Sequence, residues 1–435
     1  MADPADIAHL LRRTEFVARP DRVAALSAGT IAQAVDDILD IARNGATTVP
    51  ADLTVADPNR GWEQYLAAAN WWLGEMLAKP RPLQEKLTLF WHGHFTSSWW
   101  DGIGRSDYMM RQNQLYRELS MGNFRTLTQR MALEPAMLVY LNNAENVAAA
   151  PNQNFARELL ELFTLGVGNY TEDDVVAAAR AWTGHNAPWP TFAYVFRPTK
   201  HDNGNKTFFG TTKNWDGPDI VNEILRDNAA KKLIAARYIT KKLWDFFAHP
   251  GGSPTLINQL ADVFVANDLE IAPLLRAMFN RPEFYSVTAK QGLVRTPIEY
   301  AVALSFHTRV SISDLAMSWM GERMGQSVFN PPNVAGWKPN AAWLTTSAVS
   351  ARAQMARRAV WKLREFGGYN DLNDVSVDAA VDRVAAMLGL TLSATSRNAL
   401  VAAQQAERSA QTWKSYWSPT NLLTMAMLTP EFHMA

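Results

Sequence analysis

Apolar residues recur at three- and four-residue spacing along most of the chain, the period of a helix that buries one face. SAGTIAQAVDDILDIARNG (27–45) shows the pattern with its punctuation: Ser and Thr open it and Gly closes it. The same period predicts helices over 60–78, 82–92, 107–132, 153–166, 171–183, 229–247, 253–267, 270–279, 297–308, 312–325 and 345–365. Towards the C-terminus it adds 375–388, 393–408 and 419–428. A strand-like stretch is confined to TFAYVFRPTKHDNGNKTFFG (191–210), where aromatic and β-branched residues flank Asn203-Gly204, a dipeptide suited to a tight hairpin turn. The expected fold is mainly α, a multi-helix globular array with one small β-hairpin. A single domain over 1–435 is expected, with a soft break into two subdomains near 210–218, where Gly, Asn, Asp and Pro cluster.

Composition narrows the function classes. Hydrophobic residues make up 48% of 435, with 16 Trp and 19 Phe, enough for a large core. Forty-two basic residues balance 42 acidic ones, so a nucleic-acid partner is not expected. The absence of cysteine excludes disulfides, thiolate metal sites and cysteine nucleophiles. No run reaches about 18 apolar residues, so no membrane span is expected. MADPADIAHLLRRTEF lacks the charged-then-apolar pattern of a signal peptide, which makes the cytoplasm the default expectation. Gly-rich nucleotide loops and a G-x-S-x-G elbow are also missing.

Four segments carry candidate chemistry. FWHGHF (90–95) spends two of the chain's 8 histidines one residue apart. On a continuous helix such residues point about 200° away from each other. A helix ending at His92, with extended backbone after it, would bring both imidazoles to one side. In NFARELLELFTLG (154–166), Asn154, Arg157, Glu158 and Glu161 form a polar stripe opposite Phe155, Leu159, Leu162 and Phe163. Two carboxylates on such a stripe suit a divalent cation or an acid–base pair; an ordinary solvated face has the same spacing. His201 and Asp202 precede the Asn203-Gly204 turn, at the rim of the expected hairpin. FNPPNVAGWKPNAAWL (329–344) is a proline-rich loop around Trp337 and Trp343, which suits core packing or the flat face of a ligand.

In this order, HLLRRTEF (9–16), FWHGHF, NFARELLELFTLGVGNYTEDDVVAAARAWTG (154–184), HDNGNKTFFG (201–210), NPPNVAGWKPNAAWL (330–344) and LLTMAMLTPEF (422–432) resemble the bacterial family called domain of unknown function 1800. The resemblance implies one mainly helical domain of family length. It also implies a genomic companion from the domain of unknown function 1501 family, and it implies no settled activity. It marks the His pair, the Asn-Glu-Glu stripe and the His-Asp turn as the family's polar signatures. Gly93 stands where the family often has Asn, and His185 where Trp is usual, so His185 is not taken as a ligand.

The expected function is a metal-dependent enzyme, a hydrolase by preference. His92, His94, Glu161 and His201 are the expected ligands of a divalent transition metal, Zn, Mn or Fe. Glu158 and Asp202 are the expected acid–base residues, and Asn154, Arg157 and Trp337 the expected substrate contacts. The alternatives are a metal-free glycosidase or lyase working through carboxylates, for which the many tryptophans make a glycan a candidate substrate, and a non-catalytic scaffold or partner subunit.

Overall fold

The computed structural model describes residues 1–365, 367, 369–410 and 413–435. The fold is mainly α, with two small antiparallel sheets of two strands each. Helices Gly61–Ala78, Ala229–Phe247, Pro254–Ala266, Ile271–Phe279, Pro297–Thr308 and Thr346–Glu365 lie where the apolar period places them. The expected 107–132 helix is two, Ser106–Leu119 and Phe124–Ala132. Asn123 restarts the chain by capping Thr126 N, and Phe124 N donates to Leu269 O at 2.9 Å, which pins the break to a distant loop.

The β segment differs from expectation in register. His185–Asn186 pairs with Val195–Phe196, and Lys206–Phe208 pairs with Thr211–Lys213. The second hairpin turns at Phe209-Gly210, whose φ values of 47° and 81° both have the sign that a tight two-residue turn needs. Asn203-Gly204 is not a hairpin turn. Asp202 Oδ1 accepts from Gly204 N at 2.8 Å, and Arg180 Nε holds Asp202 Oδ2 at 2.6 Å, so the dipeptide closes a local side-chain turn instead.

Buried side chains form two hydrophobic clusters. One runs from Ile7 to Phe284 and continues across the 210–218 stretch, with Val175 and Trp182 before it and Ile220 and Val221 after it. The other joins Tyr65, Trp72 and Met109 to residues between Ile298 and Phe432. Helix Leu83–His94 serves both, with Leu87, Phe90 and Trp91 in the first and Leu89 in the second. A helix apolar on every side is a buried helix. Its two charges near the start are paired inside the protein: Glu85 takes Arg117 through two bonds of 2.6 and 2.7 Å, and Lys86 pairs with Glu299. No helix is long and apolar enough to cross a membrane among the described residues.

Candidate functional site

A cavity of about 290 Å³ opens at the seam between the two clusters. Its walls come from the end of helix Leu83–His94, from helix Ala229–Phe247, from the start of helix Pro297–Thr308, and from the 329–344 loop. Leu89, Phe90, Phe246, Val294, Trp337 and Trp343 make most of it apolar, while His94, Lys242, Asp245 and Glu299 bring ionisable groups.

The His-Gly-His segment builds this wall one residue at a time. The helix does not stop at His92 as expected; it runs on to His94, so the two rings diverge. His92 faces Trp72, Phe329 and Trp337, with its centroid 5.4 Å from the Trp337 ring. Its Nε2 accepts the Phe329 amide at 2.9 Å. That bond fixes the ring proton on Nδ1 and anchors the loop that carries Trp337. Burial drives the His92 pKa down to about 3, so the acceptor stays neutral. Thr96 Oγ1 to Val334 O at 2.5 Å and Trp99 N to Phe329 O at 2.8 Å complete the seam. Gly93 meets Gly336 across it: a Cβ on Gly336 would lie 2.3 Å from Gly93 O, and Gly336 has φ +78°. Only glycine fits there.

His94 points the other way, among Phe90, Phe95 and Phe163. Its Nε2 lies 3.1 Å from Phe163 O and its Nδ1 lies 2.8 Å from Lys242 Nζ. A carbonyl can only accept, so the ring proton sits on Nε2 and Nδ1 offers its lone pair to the lysine. Phe163 belongs to the wide turn Leu159–Thr164, at the end of its helix, where carbonyls lack intrahelical donors. Burial first, and then the Lys242 charge, holds His94 well below the usual histidine range.

Lys242 is the unusual group of the cavity. Asp245, one turn further along the same helix, pairs with Lys241 instead, and among the described residues no carboxylate lies within ion-pair distance of Lys242. A buried ammonium without a counter-ion sheds its proton more readily. Burial lowers the Lys242 pKa to about 8. Near neutral pH the site therefore holds an amine close to its switching point, hydrogen-bonded to a histidine of fixed tautomer.

The other expected site residues lie elsewhere. Arg157 forms two 2.7 Å bonds to Glu172 on the surface. Glu161 accepts from the Tyr170 hydroxyl. Glu158 is half-buried, and burial, then the Glu161 charge, raises its pKa. Asn154 opens that helix, its backbone N donating to Asn152 Oδ1 at 2.9 Å. Asp202 is held ionised, chiefly by its bond to Arg180. His201 Nδ1 binds Thr183 O at 2.8 Å, and its ring stands 6.4 Å from that of His185. His185 itself joins Asp216 Oδ1 at 2.7 Å and the Tyr194 hydroxyl at 3.1 Å.

As folded, the expected ligand set does not fit one ion. Both ring nitrogens of His94 and Nε2 of His92 are engaged within the protein, and no hydrogen bond or ring contact joins them to Glu161 or His201. Among the described residues no three His, Asp or Glu side chains stand together as a metal would require. His94 and Trp337 are the expected residues that meet at the cavity.

Lys242 and Asp245 were not singled out from the sequence, yet a signal was present. On a 100° wheel Lys242 lies about 40° from Phe246 and about 60° from Ile239, at the edge of the buried side of its helix. A cation there has to find a partner, and the partner lies 148 residues away.

The family described as "Protein of unknown function (DUF1800)" matches residues 9–434. No curated protein and no solved structure matches the chain.

Proposed function

The chain belongs to the DUF1800 family, whose description names no activity, and from its own side chains we propose that it is an enzyme that uses Lys242 as a neutral amine on a carbonyl-containing small molecule bound in the cavity. One observation carries the reading: a half-buried lysine without a carboxylate partner, 2.8 Å from His94 Nδ1, in the wall of a cavity. Desolvated lysines are the usual source of amine nucleophiles at neutral pH.

The step balances with groups at hand. The Lys242 nitrogen lone pair adds to the carbonyl carbon, and the carbonyl π pair moves to oxygen. The surplus nitrogen proton passes to His94 Nδ1, already in hydrogen-bond contact. His94 is too weak a base to keep it and returns it to the alkoxide, which becomes the carbinolamine hydroxyl. A second proton, from solvent at the cavity mouth, lets that hydroxyl leave as water with the C–O electron pair while the nitrogen lone pair forms the C=N bond. The product is an iminium at Lys242, with Asp245 one turn away to balance its charge. His94 Nε2, held by Phe163 O, keeps the ring from rotating during the transfer.

Reductive methylation with formaldehyde and cyanoborohydride at pH 7, read by peptide mass spectrometry, tests this. Lys242 should be modified well ahead of exposed lysines such as Lys200, because a larger fraction of it is neutral. Modification of Lys242 no faster than Lys200 would overturn the proposal.

A further inference from the structure

We infer that the substrate is an uncharged, mainly apolar aldehyde or ketone of about ten heavy atoms, an aryl or alkyl carbonyl compound rather than a sugar or an oxo acid. The inference rests on the amine reading above and concerns what the rest of the cavity can recognise.

Size sets the first bound. A cavity of about 290 Å³ is about twice the ~150 Å³ of a protein cavity that takes up benzene. That admits one ring or a short chain.

Hydrogen-bonding capacity sets the second. Most polar side chains of the wall are already engaged within the protein. Glu299 accepts Thr296 N at 2.7 Å through Oε2 and takes the Lys86 amine on Oε1. Thr296 Oγ1 accepts Glu299 N at 3.2 Å. Asn340 Oδ1 accepts Val294 N at 2.8 Å, and Gln326 Oε1 accepts Ile298 N at 3.1 Å. His94 is engaged at both nitrogens. Asp245 gives one oxygen to Lys241, and its Oδ1 has no partner. That acceptor answers one hydroxyl, such as that of the carbinolamine, and the Gln326 amide and the indole N–H groups of Trp337 and Trp343 add a few donors. A sugar brings a hydroxyl on nearly every carbon and would leave some of them unpaired against the apolar wall, a loss that sites lined this way cannot recover.

Charge sets the third. No arginine lines the cavity among the described residues, and its single lysine is Lys242, the reacting group. Glu299 and Asp245 are carboxylates already paired with Lys86 and Lys241. An oxo acid or a sugar phosphate would therefore find no cation besides the reacting amine to receive its charge. The Trp337 ring, partly exposed and held by the His92 seam, together with Phe90 and Phe246, offers flat apolar surface to the remaining substrate atoms.

Borohydride trapping separates the outcomes. The intact protein is incubated in turn with phenylacetaldehyde, octanal, ribose and pyruvate and then reduced. Labelling of the Lys242 peptide is divided by labelling of Lys200, which cancels each compound's intrinsic reactivity. Phenylacetaldehyde and octanal should give Lys242-to-Lys200 ratios about tenfold or more above those of ribose and pyruvate. Trp337→Ala should lower the first two ratios and leave Lys242 reactive towards formaldehyde. Ribose or pyruvate ratios equal to or above the apolar ones would overturn the substrate class while leaving the amine reading intact. No excess of Lys242 over Lys200 with any compound would overturn both.

Discussion

Replacing Lys242 with methionine should stabilise the protein near neutral pH, the opposite of what removing a buried hydrogen-bonding side chain normally does. The free-amine pKa of 10.5 falls to about 8 in the fold, and part of the side chain still meets solvent. At pH 7 the amine is charged in both folded and unfolded chains, so the folded state carries the whole desolvation cost. That cost is about 2–3 kcal/mol after screening by water at the cavity mouth. Methionine keeps the stem and drops the charge, and losing the bond to His94 Nδ1 takes back about 1 kcal/mol. The net gain is about 1–2 kcal/mol. With an unfolding entropy of ~2.1 cal/mol/K per residue, this raises Tm by only about 1–2 °C in a chain of this length. The sign with pH is the sharper test. Between pH 8 and 10.5 the unfolded chain binds the proton that the folded chain has released, so wild-type stability rises through that window. The advantage of Lys242→Met should therefore shrink from pH 7 to pH 10 and vanish above it. Scanning calorimetry of both proteins at pH 7, 8.5 and 10 measures this. A variant less stable than wild type at pH 7, by an amount constant with pH, would show that Lys242 is an ordinary structural contact.

His92→Ala should leave the Phe329 amide unpaired and an empty volume beside Trp72, a loss of about 2–4 kcal/mol. Limited proteolysis should then cut within 329–344 faster than in wild type, and unchanged cleavage would refute the seam. Below pH 6.5 the protein should lose stability steeply: burial lowers His9 and His92 to about 3 and His307 and His433 to about 4, so the unfolded chain takes up protons that the folded chain refuses. A Tm flat from pH 6.5 to 4.5 would contradict those burials. Dialysis against a chelator should leave Tm unchanged, with substoichiometric transition metal by elemental analysis. Near-stoichiometric metal and a fall in Tm would restore the metal reading of His92, His94, Glu161 and His201.

Helices were legible in the sequence wherever an apolar stripe and a cap coincided, as in Pro297–Thr308, where Thr296 and Glu299 form a capping box. The break at 119–124 was hidden because it depends on a contact with Leu269, far along the chain. The misplaced hairpin turn has a similar cause: Asn203-Gly204 carries the local preference, but Arg180 claims Asp202 and moves the turn to Phe209-Gly210. At the site, sequence spacing identified His92, His94 and the Trp337 loop as unusual without showing what each does. Gly93 marked close approach rather than a helix end, and its counterpart is Gly336, more than two hundred residues later. The polar stripe on 154–161 reads as a site by periodicity alone, yet Arg157 and Glu161 are satisfied by Glu172 and Tyr170. Lys242 escaped notice because a lysine in a helix pattern ordinarily lies at the surface.

The most direct measurement is the ionisation of Lys242 itself, by NMR of the ¹³C-methylated amines across a pH titration. The Lys242 resonance, assigned by its loss in Lys242→Met, should titrate near pH 8 and move when His94 is changed to Gln. A resonance that titrates with the exposed lysines, near pH ~10.4, and ignores His94 would contradict the account.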